Sequence, residues 1–175
     1  AALGLRAREA ERFLKLGQPA AAARAYSEVL LGDLESDWVS DRAALARWSD
    51  GLRRAQAGHR WNARGEWPSV SLVIEGGDSP TAIRKRAIAQ HPELVICTGL
   101  TEPAHQLRRE LDIHPGNELR IPTQPAHTRV YLRARWLVYL HGDEAVAAWP
   151  VGVGKAGEET PVGEFTAAIK EIQKA

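Results

Sequence analysis

The stretch between residues 130 and 165 most narrowly constrains what this chain can fold into. From Val130 to Leu140 every even position is apolar: Val130, Leu132, Ala134, Trp136, Val138 and Leu140. Tyr131, Arg133, Arg135, Leu137 and Tyr139 take the odd positions. Successive side chains of an extended backbone point to opposite faces, so this period of two predicts one half-buried strand over 130–140. His141-Gly142-Asp143-Glu144 supplies turn chemistry, and alternation resumes through Ala145, Ala147, Trp149, Val151 and Val153, which predicts a β-hairpin. Trp149-Pro150-Val151-Gly152-Val153-Gly154-Lys155 then loosens into a glycine-rich loop. In Thr160-Pro161-Val162-Gly163-Glu164-Phe165 the proline holds Thr160 extended and Gly163 permits a bend. A third strand is expected through Phe165, Ala167 and Ile169.

Several tempting chemistries fail on spacing. Gly152-x-Gly154-Lys155 suggests a phosphate loop, but that motif needs glycine where Trp149 stands and Ser or Thr where Ala156 stands. Cys97 ends the apolar string Leu94-Val95-Ile96-Cys97, with no histidine placed to generate a thiolate, and is expected to be a small buried hydrophobe. The six histidines (His59, His91, His105, His114, His127 and His141) follow no ligand spacing, so no metal site is expected. Acidic and basic residues interleave to a net charge of +1, which argues against a nucleic-acid groove. No apolar run approaches the roughly 18 residues of a membrane span.

The N-terminal third is alanine-rich and helical in period. A first helix is expected to carry Leu5, Arg8, Arg12 and Leu16 along one row, with Glu9 and Phe13 beside it, until Gly17-Gln18-Pro19 breaks it. Pro19 suits the first turn of a second helix with Ala22, Ala25, Tyr26, Val29 and Leu30 on one face. A third helix is expected to start at Ser40 or Asp41 as cap, with Leu45, Trp48, Leu52 and Ala55 inward. The pattern Ala-Glu-x-Phe-Leu-x-x-Gly-Gln-x-x-x-Ala-x-x-x-Tyr resembles one tetratricopeptide-like hairpin. A solenoid needs about three such units, so a short bundle is the simpler expectation and a peptide-binding groove the other. Residues 58–69, with Gly58, Gly65, Pro68, Trp61 and Trp67, are expected to form a linker whose indoles pack on the adjoining units.

Residues 70–122 form a further unit. Leu72-Val73-Ile74 predicts a strand, and Gly77-Asp78-Ser79-Pro80 a turn in which Ser79 caps a helix with Pro80 at its first position. Ile83 and Ala87 give that helix an inner face. Pro92 opens a short second helix through Cys97, and Pro115-Gly116 turns into a closing strand ending at Ile121-Pro122. Strand, Gly-Asp-Ser, two helices and Pro-Gly-Asn-x-Leu-x-Ile-Pro together resemble a LysM module, the small βααβ domain that binds N-acetylglucosamine-containing glycans. The resemblance implies a shallow groove between Gly77, Asp78, Ser79 and Pro80 on one side and Gly99, Leu100 and Thr101 on the other. A glycine-containing loop fits that use, since its amides can donate to an acetamido carbonyl and its small residues let a sugar approach. For Asp78 and Ser79 themselves, helix capping is the simpler expectation, and it is compatible with glycan contact nearby.

Residues 128–175 resemble the opening of an L,D-transpeptidase catalytic domain of the YkuD type. The resemblance rests on the order of strand, Gly-Asp turn, strand, Pro-Val-Gly-Val-Gly-Lys and Thr-Pro-Val-Gly-Glu-Phe-Thr. In that family the catalytic histidine and Ser-x-Gly-Cys follow further downstream, so no catalytic residue is assigned here. The expected fold is therefore α+β: a tetratricopeptide-like helical segment (1–57), the linker, the LysM-like module, and the first strands of a mainly β domain. The chain begins without methionine and reads as the front of a longer protein, so the lack of a signal sequence is uninformative. The resemblance implies peptidoglycan as partner, a cell-envelope location (periplasm or wall) and no cofactor. In the parent protein a cysteine thiolate would attack the meso-diaminopimelate–D-alanine bond of a donor stem peptide and pass the acyl group to an acceptor amine. The alternative is a non-catalytic wall-binding protein with a degenerate β domain; a helical adaptor for a protein partner is a third reading. Strands cut off from the rest of such a domain are expected to expose edges and an apolar face, leaving the chain beyond 128 poorly ordered or aggregation-prone.

Overall fold

A computed structural model describes residues 2–36, 41–60, 62, 65–92 and 114–165. Helix α2 (Pro19–Leu34) is central, and its composition explains why. Ala22, Ala23, Ala25, Tyr26, Val29 and Leu30 are all buried, and so many small residues let neighbours approach from more than one side. Helix α1 (Ala2–Lys15) packs on one flank and α3 (Arg42–Gly58) on another. Asp41 caps α3, its carboxylate accepting from the Ala44 amide at 2.7 Å, and Leu45, Leu52 and Ala55 face inward as their spacing predicts. Of the residues named for α1, the leucines of the first row face outward. Leu5 and Leu16 are 69% and 58% exposed, and the packed face carries Ala10, Phe13 and Leu14. Close helix approach selects the small Ala10 over the bulkier leucines.

The chain is α+β: among the described residues four helices combine with two small antiparallel sheets. The larger sheet is a meander of β3 (Ala126–Tyr131), β4 (Trp136–His141) and β5 (Glu144–Pro150) in that order. The single strand expected over 130–140 is in fact two. The chain reverses at residues 132–135, where the Leu132 carbonyl accepts from the Arg135 amide at 3.3 Å and Arg135 has a φ of 57°. No glycine or proline marks this turn, and the apolar alternation runs straight through it. The Gly142-Asp143 hairpin, by contrast, forms where its residues predict, pairing His141 with Glu144.

A bulge reverses the parity expected for β5. Tyr139 pairs with Ala147 and Leu140 with Ala145, leaving Val146 as the extra residue. Ala145 and Val146 are both buried, Ala148 follows them inward, and Trp149 turns out at 50% exposure. The inner face packs on α2 and α3, where Trp136, Val138, Leu140, Ala145 and Ala148 join the helical residues in one core. The contact is also polar. Ser27 Oγ accepts from the Ala145 amide (2.7 Å), Ser49 Oγ donates to the Ala148 carbonyl (2.6 Å), and Gln56 Nε2 donates to the Ala145 carbonyl (3.5 Å). The apolar face expected to stand open is therefore covered, by the chain's own helices. Phe165, the expected start of a third strand, is exposed and outside both described sheets; Ala167 and Ile169 lie outside the described residues.

Between α3 and β3 the chain forms a second, smaller core. Strand β1 (Ser69–Val73) pairs antiparallel with β2 (Glu118–Pro122), Leu72 opposite Leu119, and α4 (Pro80–Gln90) lies against them. Leu72, Ile74, Ile83, Ala87, Leu119 and Ile121 make up this core. The second short helix and Cys97 lie outside the described residues. The segment expected to be a linker is packed: His59, Arg60 and Trp67 are buried, while Trp61 lies outside the described residues.

Candidate functional site

The turn after β1 carries half of the sequence-predicted glycan site. The Glu75 carbonyl accepts from the Asp78 amide at 3.1 Å, and Gly77 has a φ of 85°, a backbone that glycine adopts without strain. Asp78 is committed internally. Its carboxylate accepts from the Glu75 amide at 2.8 Å and pairs with Arg86 at 2.6 Å, while Arg86 also donates to the Val73 carbonyl at 2.7 Å. Ser79 caps α4, accepting from the Ala82 amide at 3.2 Å, with Pro80 in the first turn. The capping expectation is thus met by Ser79, whereas Asp78 closes the turn and holds Arg86 instead of capping α4. What the turn leaves open is backbone: a methyl group added to Gly76 or Gly77 would meet no atom within 4 Å. At the other end of the module the Gly116 amide donates to the Ile74 carbonyl at 2.8 Å, locking the Pro115-Gly116 turn beside β1. Gly99, Leu100 and Thr101, the other expected wall, lie outside the described residues.

The two glycine- and proline-containing motifs beyond β5 are joined to each other. The Gly154 amide donates to Thr160 Oγ1 at 2.7 Å, and a side chain at Gly154 would collide with the Glu158 carbonyl 1.9 Å away. That close approach accounts for glycine there without any phosphate. Thr160 to Phe165 border a cleft of about 840 Å³ with β3, lined by His127, Arg129, Val130 and Leu132 on the strand side. A second cleft, of about 540 Å³, lies over Tyr26 between α1 and α3. Its floor is a closed network: the Tyr26 hydroxyl donates to Glu11 at 2.7 Å, and Arg54 reaches Glu11 at 3.3 Å and Asp50 at 3.2 Å. Burial and the Glu11 carboxylate push the Tyr26 hydroxyl well above the ordinary tyrosine range, so it stays protonated.

No protein-family model, curated protein or solved structure matches this chain. Any assignment of function therefore rests on residues and geometry.

A second perturbed group lies where the sequence gives little sign of it. Arg60 and His141 are both buried, 1% exposed each, where the end of α3 meets the β4–β5 hairpin. Arg60 pairs with Glu144 at 2.8 Å and its Nη1 lies 3.4 Å from His141 Nδ1. His141 Nε2 is 2.9 Å from the Tyr139 hydroxyl. Burial, followed by the Arg60 charge, holds the His141 imidazole down at about 4. Burial lowers His59 as well. Only the odd parity of Tyr139 and His141 in the strand pattern hints that they share a face. Among the described residues, no group of three or more His, Cys, Asp or Glu converges on a metal position, and no helix is long and apolar enough to cross a membrane.

Proposed function

We propose that this chain is the wall-anchoring part of a peptidoglycan cross-linking L,D-transpeptidase, in which the small β1–α4–β2 unit holds N-acetylglucosamine-containing glycan. One observation carries the binding half of the reading: the turn at Gly76-Gly77 is fixed from behind by Asp78 and Arg86 and open in front. A rigid loop with exposed amides and no side chains in the way can receive an acetamido group without an ordering cost. The catalytic half rests on the resemblance of residues 128–175 to the start of a YkuD-type domain. In the parent protein a downstream cysteine would form the acyl-enzyme with the donor stem peptide, and the cell envelope would be the site of action.

Retention of the folded chain on insoluble peptidoglycan tests the binding half. The informative variant is Gly76→Leu, because a Cβ there meets no atom within 4 Å, so the added side chain starts in open space in front of the turn, where a sugar would approach. Retention is expected to fall about tenfold, the equivalent of roughly 1.4 kcal/mol. Unchanged retention would move the glycan elsewhere, and a wild-type chain that does not bind would end the reading. A parent gene that lacks a histidine and Ser-x-Gly-Cys downstream would leave only the wall-binding alternative.

A further inference from the structure

We propose that the seam between the end of α3 and the β4–β5 hairpin is an acid-sensitive joint: protonating His141 expels Arg60 from its buried seat and loosens the β1–α4–β2 module from the helix–sheet body. The hydrogen-bond directions set this up. A guanidinium only donates, so Arg60 Nη1 requires a lone pair on His141 Nδ1, 3.4 Å away. The neutral imidazole then carries its proton on Nε2 and donates to the Tyr139 hydroxyl at 2.9 Å. A second ring proton, on Nδ1, removes the acceptor and sets two cations side by side where neither reaches water.

The groups around His141 do not offset that charge. Glu144 on β5 is the facing carboxylate; it bonds Arg60 through Oε2 at 2.8 Å and does not bond His141, its Oε1 making no hydrogen bond. Tyr139 on β4 is neutral. From β3 the register partner is Ala126, which brings no charge. His59, at the end of α3, lies next to Arg60 and is itself shifted down by burial and by that arginine, against a smaller opposing pull from Glu144. Arg120 on β2, 4.7 Å from the centre of the Trp67 ring, adds positive charge beside His59. One carboxylate would have to serve two buried cations, and Arg60, on a long flexible stem, is the one that can leave.

Its departure reaches the module through Trp67. The Arg60 guanidinium lies 6.0 Å from the centre of the Trp67 ring and Arg120 lies 4.7 Å from it. Arg120 also donates to the carbonyls of Gly65 and Trp67 and to Ser69 Oγ, so it ties the ring to the first residue of β1. Removing Arg60 takes away one of the two cations that hold Trp67. Because the closed joint keeps the imidazole at about 4 while an open one returns it toward 6.5, opening occurs within that interval.

Hydrogen exchange on the full chain, at about pH 7.5 and about pH 4.5 and corrected for intrinsic rates, reads the joint directly. The amides of Val70, Leu72 and Ala145 are expected to lose protection by about tenfold or more at the lower pH, while Leu30 in the helical core keeps its own. His141→Gln supplies the control, since its carbonyl can accept from Arg60, its amide can donate to Tyr139, and it does not titrate. That variant is expected to give the same protection at both pH values. Acid loosening that persists in His141→Gln, or its absence from the wild type, overturns the proposal. Should the variant fail to fold, the wild-type His141 imidazole followed by NMR decides instead. Its midpoint coincides with the loss of protection if the joint is acid-sensitive, and lies more than about one pH unit away if it is not.

Discussion

Gly51 is fixed by an aromatic ring. A methyl group there would sit 2.3 Å from the hydroxyl end of the Tyr26 ring, which occupies that space beside α3 and sends its hydroxyl to Glu11. Neither the ring nor the helix can withdraw without breaking that bond. Gly51→Ala, a change that raises helix propensity, is therefore expected to destabilise the protein by about 1–3 kcal/mol, measured as a fall in denaturant midpoint at constant slope. A gain in stability would show that α2 and α3 are further apart than described. His141 gives a second prediction at this scale. Its imidazole is depressed from 6.5 to about 4 in the folded chain, so between those values the unfolded chain binds a proton that the folded one does not. Its contribution is complete above about 6.5 and is lost as pH falls toward 4, a span worth on the order of 3 kcal/mol. His59 shifts in the same direction and adds to the slope. Unfolding free energies that stay flat from pH 7 to pH 4 would contradict both assignments.

Single elements were legible in the sequence where a local rule settles them. Asp41 and Ser79 are caps because a short acceptor precedes a helical period, and the Gly142-Asp143 turn forms because its residues suit a tight hairpin. The same locality hid the turn at 132–135 and the bulge at Val146. Both leave the hydrophobic pattern nearly intact, and both exist to fit the sheet onto α2 and α3, which no nearby residue announces. Of the candidate glycan site, the turn at Gly77 was readable for the same local reason. The Arg60–His141 pair was not, since its members are 81 positions apart. The bulge makes a testable distinction between two tryptophans. Trp136 fills the shared core and Trp149, after the parity change, faces out. Trp136→Ala should cost about 3–5 kcal/mol, whereas Trp149→Ala should stay within about 0.5 kcal/mol. Comparable losses in the two variants would mean that β5 keeps unbroken alternation.

At the scale of the whole molecule, two hydrophobic cores lie on one chain, and the smaller interrupts the larger between α3 and β3. A module of this size buries too little apolar surface to be more than marginally stable alone. Its attachment to the helix–sheet body should therefore contribute to its own stability, and Trp67 is the residue through which the attachment runs. The ring is buried, with Arg60 from the body near it and Arg120 from β2 closer still. Trp67→Ala removes the surface both arginines share and leaves the two cores themselves untouched. Wild-type protein is expected to unfold in one calorimetric transition, and the variant in two, the module melting first while the body keeps its midpoint within a few degrees. Protection of the Leu72 and Ile121 amides should then fall well below that of Leu30 and Val138. A single transition displaced as a whole would mean instead that the two cores cooperate through contacts beyond this ring, and the acid-sensitive joint would then have little to release.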